Sequence, residues 1–564
     1  MNHRVIIFAT TIFFVLFCSC SKNEPKEFFE AREYFVRPCD FLCDYPFNDT
    51  TKFAITCRVW GLLKYFHPNV ATDLFLDWDQ ILLDRLEFIN CATTPEQVNT
   101  ELMQMIRIAG EYTYLNNSTW DDSLNMNVNL CWLENSFIND TIRQTLREIA
   151  SLTSIVPSRY ITIRKGGGTD MYFPYPEEYL YHNDYTILQY EYRLLALFRF
   201  WNVIYYLYPY KYLMDQSWDV TLSEFIPYFI NSNDELTYRK VVVQLATRLN
   251  DGHAFTNVTP PFDRYKFKYI AFIDSSTVIR TSLEGSLLER GDIILSIDGK
   301  SIRDIRDSIA AFIPSSNKRY TDNAVNGCIF NSIMDSCIIT VMRNQQIMTF
   351  REGKKTLPKE MESSHFFHNI SSDIGYVNLE LIKESDIPVL MDTINPFGGI
   401  IFDLRNYPRN TGDLLFNLIQ TRSLHYASAI YVDFSRLGAF YKQECIINLP
   451  DELWKGRKTY KGKIVFLINE LTMSMAETMA MILRSNGIIL VGTPTAGANG
   501  GVHFFRLPGN ITVYYPLYGL YYPDGEEVQR KGIVPDIEVY PTMDDVMAGR
   551  DEVLEAAITF LNSN

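Results

Sequence analysis

Two residues in this chain have the types and settings that covalent chemistry requires, Ser474 and His253. Ser474 stands in "LTMSMAETMA" (471–480), after the apolar run "GKIVFLIN" and before "RSNGIILVG". That order reads strand, turn, helix, strand, and it sets Ser474 at the mouth of a helix. A hydroxyl there has two uses. It caps the helix by accepting a first-turn amide, or it is a nucleophile with the positive helix end facing whatever becomes attached to it. A nucleophile also needs a base and an oxyanion site. The amide of Met475 is the natural first oxyanion donor. A second is expected from "FDLRNYPRN" (402–410), where Arg409 offers an N–H and Pro408 has none.

His253 lies in "LNDGHAFT" (249–256). An imidazole has an unperturbed pKa of about 6.5, which suits a general base. On a turn after a helix it can face a cleft. The plainer reading is that it caps the helix end or packs in an interface. Gly252 is expected as the left-handed C-cap of that helix, and Asp251 as a cap of the turn in preference to an orienter of the His253 ring. His503, after "TAGANGG", is a reserve base for the same cleft. His365 and His368 in "HFFH" have no carboxylate or third histidine near in sequence. No metal or cofactor is expected.

The elements that must position these residues follow from periodicity. From about 370, "DIGYVNLELI", "GGIIFDLRN", "GKIVFLIN" and "GIILVG" read as strands separated by helices, an α/β pattern. "DDVMAGRDEVLEAAITFL" (544–561) reads as one terminal amphipathic helix. Upstream, in "LLERGDIILSIDGKSI", Asp298-Gly299 makes a hairpin turn. "SIRDIRDSIAAFI" is an amphipathic helix and "CIITVMRNQQIMTFR" a closing hairpin. This stretch resembles a PDZ domain, in which a sheet edge and a helix hold an extended peptide. Further upstream, "RVWGLLKYFHP" (58–68) is echoed by "RFWNVIYYLYP" (199–209), and each is followed by a second tryptophan. The echo reads as a duplicated helical element with its aromatics in the core. Residues 110–185 are rich in Asn, Thr, Tyr and Gly, and "RKGGGTDMYFPYPEEY" among them reads as a long loop.

The chain has 564 residues, 47% of them hydrophobic, enough for three or four packed domains. Its net charge of −15 and lack of a basic run exclude nucleic acid as an expected partner. "MNHRVIIFATTIFFVLFCSC" resembles a bacterial lipoprotein signal, with Cys20 as the lipidated first residue. Export to the cell envelope, anchored in the lipid bilayer, is expected. The ten cysteines show no zinc spacing.

Six motifs come in order: "DIGYVNLE", "GGIIFDLRN", "LTMSMAETMA", "VGTPTAGANGG", "FRLPGN" and "KGIVPDIEV". Together they resemble the serine peptidases of the tail-specific, or C-terminal-processing, family. The resemblance implies that Ser474 of Ser-x-x-Glu is the nucleophile. The lysine base of the best-known branch falls here on Ala498 or Asn499, and neither takes a proton at neutral pH. The chain is more similar to the lysine-less branch, with the tricorn protease core and interphotoreceptor retinoid-binding protein. That branch implies His253 as base and an acid shortly before the "GIVPD" motif. The acid's place is held by Gln529, with Glu527 or Glu526 as carboxylates able to reach in. The resemblance thus implies an exported serine endopeptidase acting on peptide or protein. The alternative is a catalytically degenerate ligand- or peptide-binding lipoprotein on the same scaffold. The expected fold is multidomain α+β. A signal (1–19) precedes an N-terminal helical region and loop (20–185). A second helical element (186–263) and a PDZ-like domain (264–352) follow, then a ClpP/crotonase-like α/β domain (353–564).

Overall fold

The computed structural model describes residues 27–28 and 45–563, apart from 113–127, 153–157, 167–168, 174–180, 182–185, 259–268, 283–284, 331–335, 354–364, 409–413, 415–417, 419–422, 435, 450 and 457–458. The signal segment with Cys20, and Arg409, lie outside the described residues. What is described is a mixed α+β chain with a helical N-terminal region.

The tryptophan echo is matched by bonds. Helix α1 (Asp49–Phe66) is capped by Asn48, whose side chain accepts from Thr51 N–H, and it stops before Pro68. Helices α2 (Trp78–Cys91) and α3 (Pro95–Ala109) follow. Helices α4 (Tyr190–Leu207), α5 (Trp218–Asn231) and α6 (Glu235–Thr247) have the same order. A buried indole N–H needs an acceptor. Trp60 and Trp78 each donate to the other's carbonyl at 3.1 Å. Trp201 and Trp218 do the same at 2.8 and 2.9 Å. Arg58 of the first set pairs with Asp219 of the second, and Arg199 of the second with Asp79 of the first. Burial works against ionising Asp79, yet Arg199 and Lys64 hold its carboxyl below the usual range. The tryptophans are core residues, all four nearly inaccessible.

Gly61 stands in α1 where Asn202 stands in α4, and the two meet. A Cβ on Gly61 would lie 1.8 Å from Asn202 Oδ1. Asn202 cannot retreat freely, because its Nδ2 donates to Cys57 O and Phe198 O. Gly61→Ala therefore overpacks the seam, at about 2 kcal/mol. Asn202→Ala added to it restores most of the loss. Thermal melts of the single and double variants check this pair.

Residues 162–173 are a hairpin, Thr162–Gly166 against Thr169–Phe173, where a loop was expected. Strand-forming residues on both sides of a glycine-rich turn account for it.

The middle sheet runs, edge to edge, β1 (Ile270–Ile273), β2 (Ser276–Ile279), β3 (Ile293–Ile297), β4 (Ser336–Arg343) and β5 (Gln346–Gly353). Asp298 and Gly299 turn the chain with φ 48° and 77°, as a two-residue hairpin requires. Helix α7 (Ile302–Ala310) follows, capped by Ser301. Among the described residues β1 pairs only with β2 and stands at the edge of this sheet.

In the C-terminal part, β6 (Ile374–Asn378), β7 (Gly399–Asp403), β8 (Lys463–Ile468) and β9 (Ile489–Gly492) are parallel neighbours. Phe367–Asn369 and Ile537–Glu538 extend this sheet to six strands. Continuous apolar runs suit strands covered on both faces. One face packs on helix α8 (Met475–Ser485) and an antiparallel layer holding Ser423–Val432 and Phe440–Asn448. The other packs on the terminal helix α9 (Glu552–Ser563). The terminal segment is two helices rather than one. Gly549, at φ 70°, ends a short helix at Met543–Ala548 before α9 begins. A further hairpin, β10 (Val502–Leu507) and β11 (Ile511–Pro516), leaves this part and joins the helical core. Phe505 meets Phe200 edge to face at 5.3 Å.

Candidate active site

Ser474 leaves β8 through a braced turn. Thr472 Oγ1 accepts from Asn469 N–H at 3.0 Å and donates to Leu404 O at 3.1 Å. Thr472 O accepts from Ala496 N–H. Ser474 itself has φ 58° and ψ −124°. A serine pays about 1–3 kcal/mol for such a backbone and holds it only where its surroundings enforce it. Glu477 reaches back to the Ser474 N–H as in a capping box, but the Ser474 backbone is not the extended one of an ordinary helix cap. Met475 opens α8, and its N–H belongs to the first-turn amides that have no partner within a helix.

Glu477, in the first turn of α8, is fully buried and enforces the turn. Its carboxylate accepts from Gly497 N–H at 2.8 Å, Ala498 N–H at 3.0 Å, Ser474 N–H at 3.2 Å and the Thr495 hydroxyl. Ser474 N–H also donates to Ala498 O at 2.8 Å. Burial pushes the Glu477 carboxyl up to about 7. The Thr495 hydroxyl, the two loop amides and the charge of His253 pull the other way.

His253 reaches this place from the helical region. After α6 the left-handed residue is Asn250, with φ 52°, and not Gly252 as expected. Gly252 is needed for a close approach instead. A Cβ on it would lie 3.1 Å from Ala498 Cβ and 3.4 Å from Met473 Cε. The turn therefore rests on the neighbours of Ser474, and Ser316 Oγ accepts the Gly252 N–H at 3.0 Å. Beyond the turn the chain continues onto β11, where Tyr514 N–H donates to Phe255 O. His253 is 2% exposed. Among the described residues neither ring nitrogen has a hydrogen-bond partner. Nδ1 lies 3.4 Å from Asp251 Oδ1.

The expected orienters stand elsewhere. Gln529 gives its amide N–H to Asp251 Oδ2 at 2.7 Å. Glu527 Oε2 accepts from the Tyr212 hydroxyl. The carboxylate beside Nδ1 belongs to Asp251, which is close because it shares the turn. As expected of a cap, Asp251 accepts His253 N–H at 2.8 Å. Its spacing to His253 was the available signal. At the lysine position, Ala498 is buried and Asn499 Oδ1 accepts from Thr478 Oγ1. His503 lies on β10 opposite Tyr515, and burial lowers its imidazole to about 4.

Arg405 clamps the neighbouring strand end. It bonds Asp403 at 2.7 Å and Asp551 at 2.8 Å, and Tyr376 donates to Asp403 at 2.6 Å. Arg405→Ala leaves Asp403, 4% exposed, without its cation. A loss of about 3 kcal/mol is expected, read as a lower melting temperature. A cavity of about 640 Å³ opens beside the clamp, lined by β1, Arg319, Asn406 and Asn469–Leu471. It reaches the turn that carries Ser474, though not Ser474 itself.

Residues 373–539 match the profile of peptidase family S41. The structure of mature CPAF complexed with lactacystin aligns with 67% of this chain and 100% of its own, at 13% identity and TM-score 0.51. Mature CPAF aligns with 67% of this chain and 97% of its own, at 12% identity and TM-score 0.50. The tricorn protease aligns with 66% of this chain and 37% of its own, at 14% identity and TM-score 0.34. At these identities the likeness to CPAF is one of fold.

Proposed function

We propose that the protein is a serine endopeptidase of the Ser-His kind, on the match of residues 373–539 to peptidase family S41, a family of serine peptidases. Ser474 attacks the peptide carbonyl and His253 takes its proton. His253 then protonates the leaving amine, and water releases the acyl group from Ser474. Met475 N–H, at the positive end of α8, faces the developing oxyanion. The observation that carries this reading is the Asp-Gly-His turn seated on Met473 and Ala498, the residues that flank Ser474 in space.

Residues 264–352 are read as a PDZ-like module. The edge position of β1 and the cavity it shares with the Ser474 turn support an extended peptide lying there. The helical region is read as a duplicated element, supported by the matched tryptophan bonds. Export to the cell envelope, with a lipid anchor at Cys20, is read from the N-terminal sequence alone.

A fluorophosphonate probe tests the enzymatic reading. The wild-type protein is expected to label covalently, and Ser474→Ala to lose both the label and peptide hydrolysis. A folded wild-type protein that neither labels nor cleaves peptide, yet binds it, would instead be the degenerate binder.

A further inference from the structure

We propose that Asp251 is the positioning residue that orients His253 and balances its charge, and that Gln529 serves to hold Asp251. This rests on reading Ser474 and His253 as nucleophile and base.

Asp251 is fully buried. Its Oδ1 accepts His253 N–H at 2.8 Å and lies 3.4 Å from Nδ1. Its Oδ2 accepts from the Tyr208 hydroxyl at 3.0 Å and Gln529 Nε2 at 2.7 Å. A carboxylate that merely closes a turn needs only the first bond. Here two neutral donors arrive from elements 43 and 278 residues away. They satisfy the second oxygen without a counter-charge. Burial and the Asp251 charge keep the Tyr208 phenol protonated, and its one proton faces Asp251 Oδ2 at 3.0 Å and, at 3.3 Å, Leu249 O. Gln529 is locked. Its Oε1 accepts Asn499 N–H at 3.1 Å, so its amide cannot turn over. Arg530, whose charge reaches Tyr208, is committed to Asp215 at 2.8 Å and to the carbonyls of Leu213 and Ser316. Tyr210 stays protonated through burial, and Glu477 feels the charge of His253. The partner left for the Asp251 charge is the imidazolium that forms when His253 takes a proton.

Gln529 then has a reason to be neutral. A carboxylate in its place would stand about 2.7 Å from Asp251, and two carboxylates that close do not both ionise. Asp251 and Gln529 are thus a matched pair, one charged and one not.

The test uses the full-length protein and two variants that push in opposite directions. Asp251→Asn removes the charge. It is expected to lower kcat by roughly 10³- to 10⁴-fold with little change in KM. It should also move the acidic limb of the kcat/KM profile to lower pH. Tyr208→Phe keeps the charge but removes a donor from it. The carboxylate becomes more basic, and the acidic limb should move to higher pH with a smaller loss of kcat. The Tyr208→Phe shift stands as evidence even if Asp251→Asn fails to fold. If the limb stays put in Tyr208→Phe, or in a folded Asp251→Asn, the assignment is overturned and Asp251 is only a turn cap. Ser474→Ala and His253→Ala run beside them. If either retains full activity, the Ser-His reading itself has failed. If both are inactive and the limb does not move, only the Asp251 assignment has failed.

Discussion

His253→Gln is expected to lower kcat by a factor between about 10⁴ and 10⁶, with a thermal midpoint close to that of the wild type. The split follows from what the ring touches. His253 is buried, but neither of its nitrogens has a hydrogen-bond partner among the described residues, so its loss orphans none of them. Asp251 keeps the His253 backbone amide, Tyr208 and Gln529. Stability therefore loses only packing, and glutamine replaces much of that volume. Activity loses the proton acceptor, and nothing beside Ser474 replaces it. Ala498 has no basic atom, the Asn499 amide is neutral and bonded to Thr478, and Glu477 is occupied by four donors. His503 does not step in, because burial holds its imidazole near 4 and it lies on β10. Fluorophosphonate labelling is a direct measure, since it requires an activated serine but no substrate specificity. Labelling of His253→Gln at the wild-type rate would remove His253 from the mechanism.

The strands of the C-terminal sheet were legible because a strand covered on both faces must be apolar throughout. "GGIIFDLRN" and "GKIVFLIN" become β7 and β8 for that reason. The hairpin turn at Asp298-Gly299 was legible because few residues accept its dihedrals. What escaped were features decided by distant neighbours. Gly252 looked like a helix cap, yet its lack of a side chain serves a contact with Met473 and Ala498, far along the chain. Asn250 took the left-handed position that glycine was expected to hold. Gly549 interrupts a pattern that is apolar at helical spacing on both sides. Ser474 could be a cap or a nucleophile by sequence alone, because periodicity carries no record of φ. Asp251 was visible two residues before His253, but its weight comes from Tyr208 and Gln529, which only the fold brings to it.

Glu477→Gln is expected to lower both stability and activity, and its effect should depend on pH. The carboxylate accepts four buried donors, Ser474 N–H, Gly497 N–H, Ala498 N–H and the Thr495 hydroxyl. A glutamine offers one oxygen and turns an NH2 toward two of those donors. Buried donors left without acceptors cost about 1–3 kcal/mol each, so a loss of that order is expected. Two of the donors set the Ser474 turn and the 498 loop, and a displacement of about 1 Å there costs on the order of 100-fold in turnover. The pH dependence follows from burial, which raises the Glu477 carboxyl from 4.5 to about 7. The folded protein then holds this proton more tightly than the unfolded chain does. The stability this contributes is complete below pH 4.5 and is lost as the pH rises through about 7. A shift of that size is worth about 3 kcal/mol. Glutamine does not titrate, so the gap in melting temperature between wild type and Glu477→Gln should narrow between pH 4.5 and 8. A gap that widens with pH would mean that the four hydrogen bonds outweigh desolvation, with the carboxylate as the favoured form of the folded state throughout.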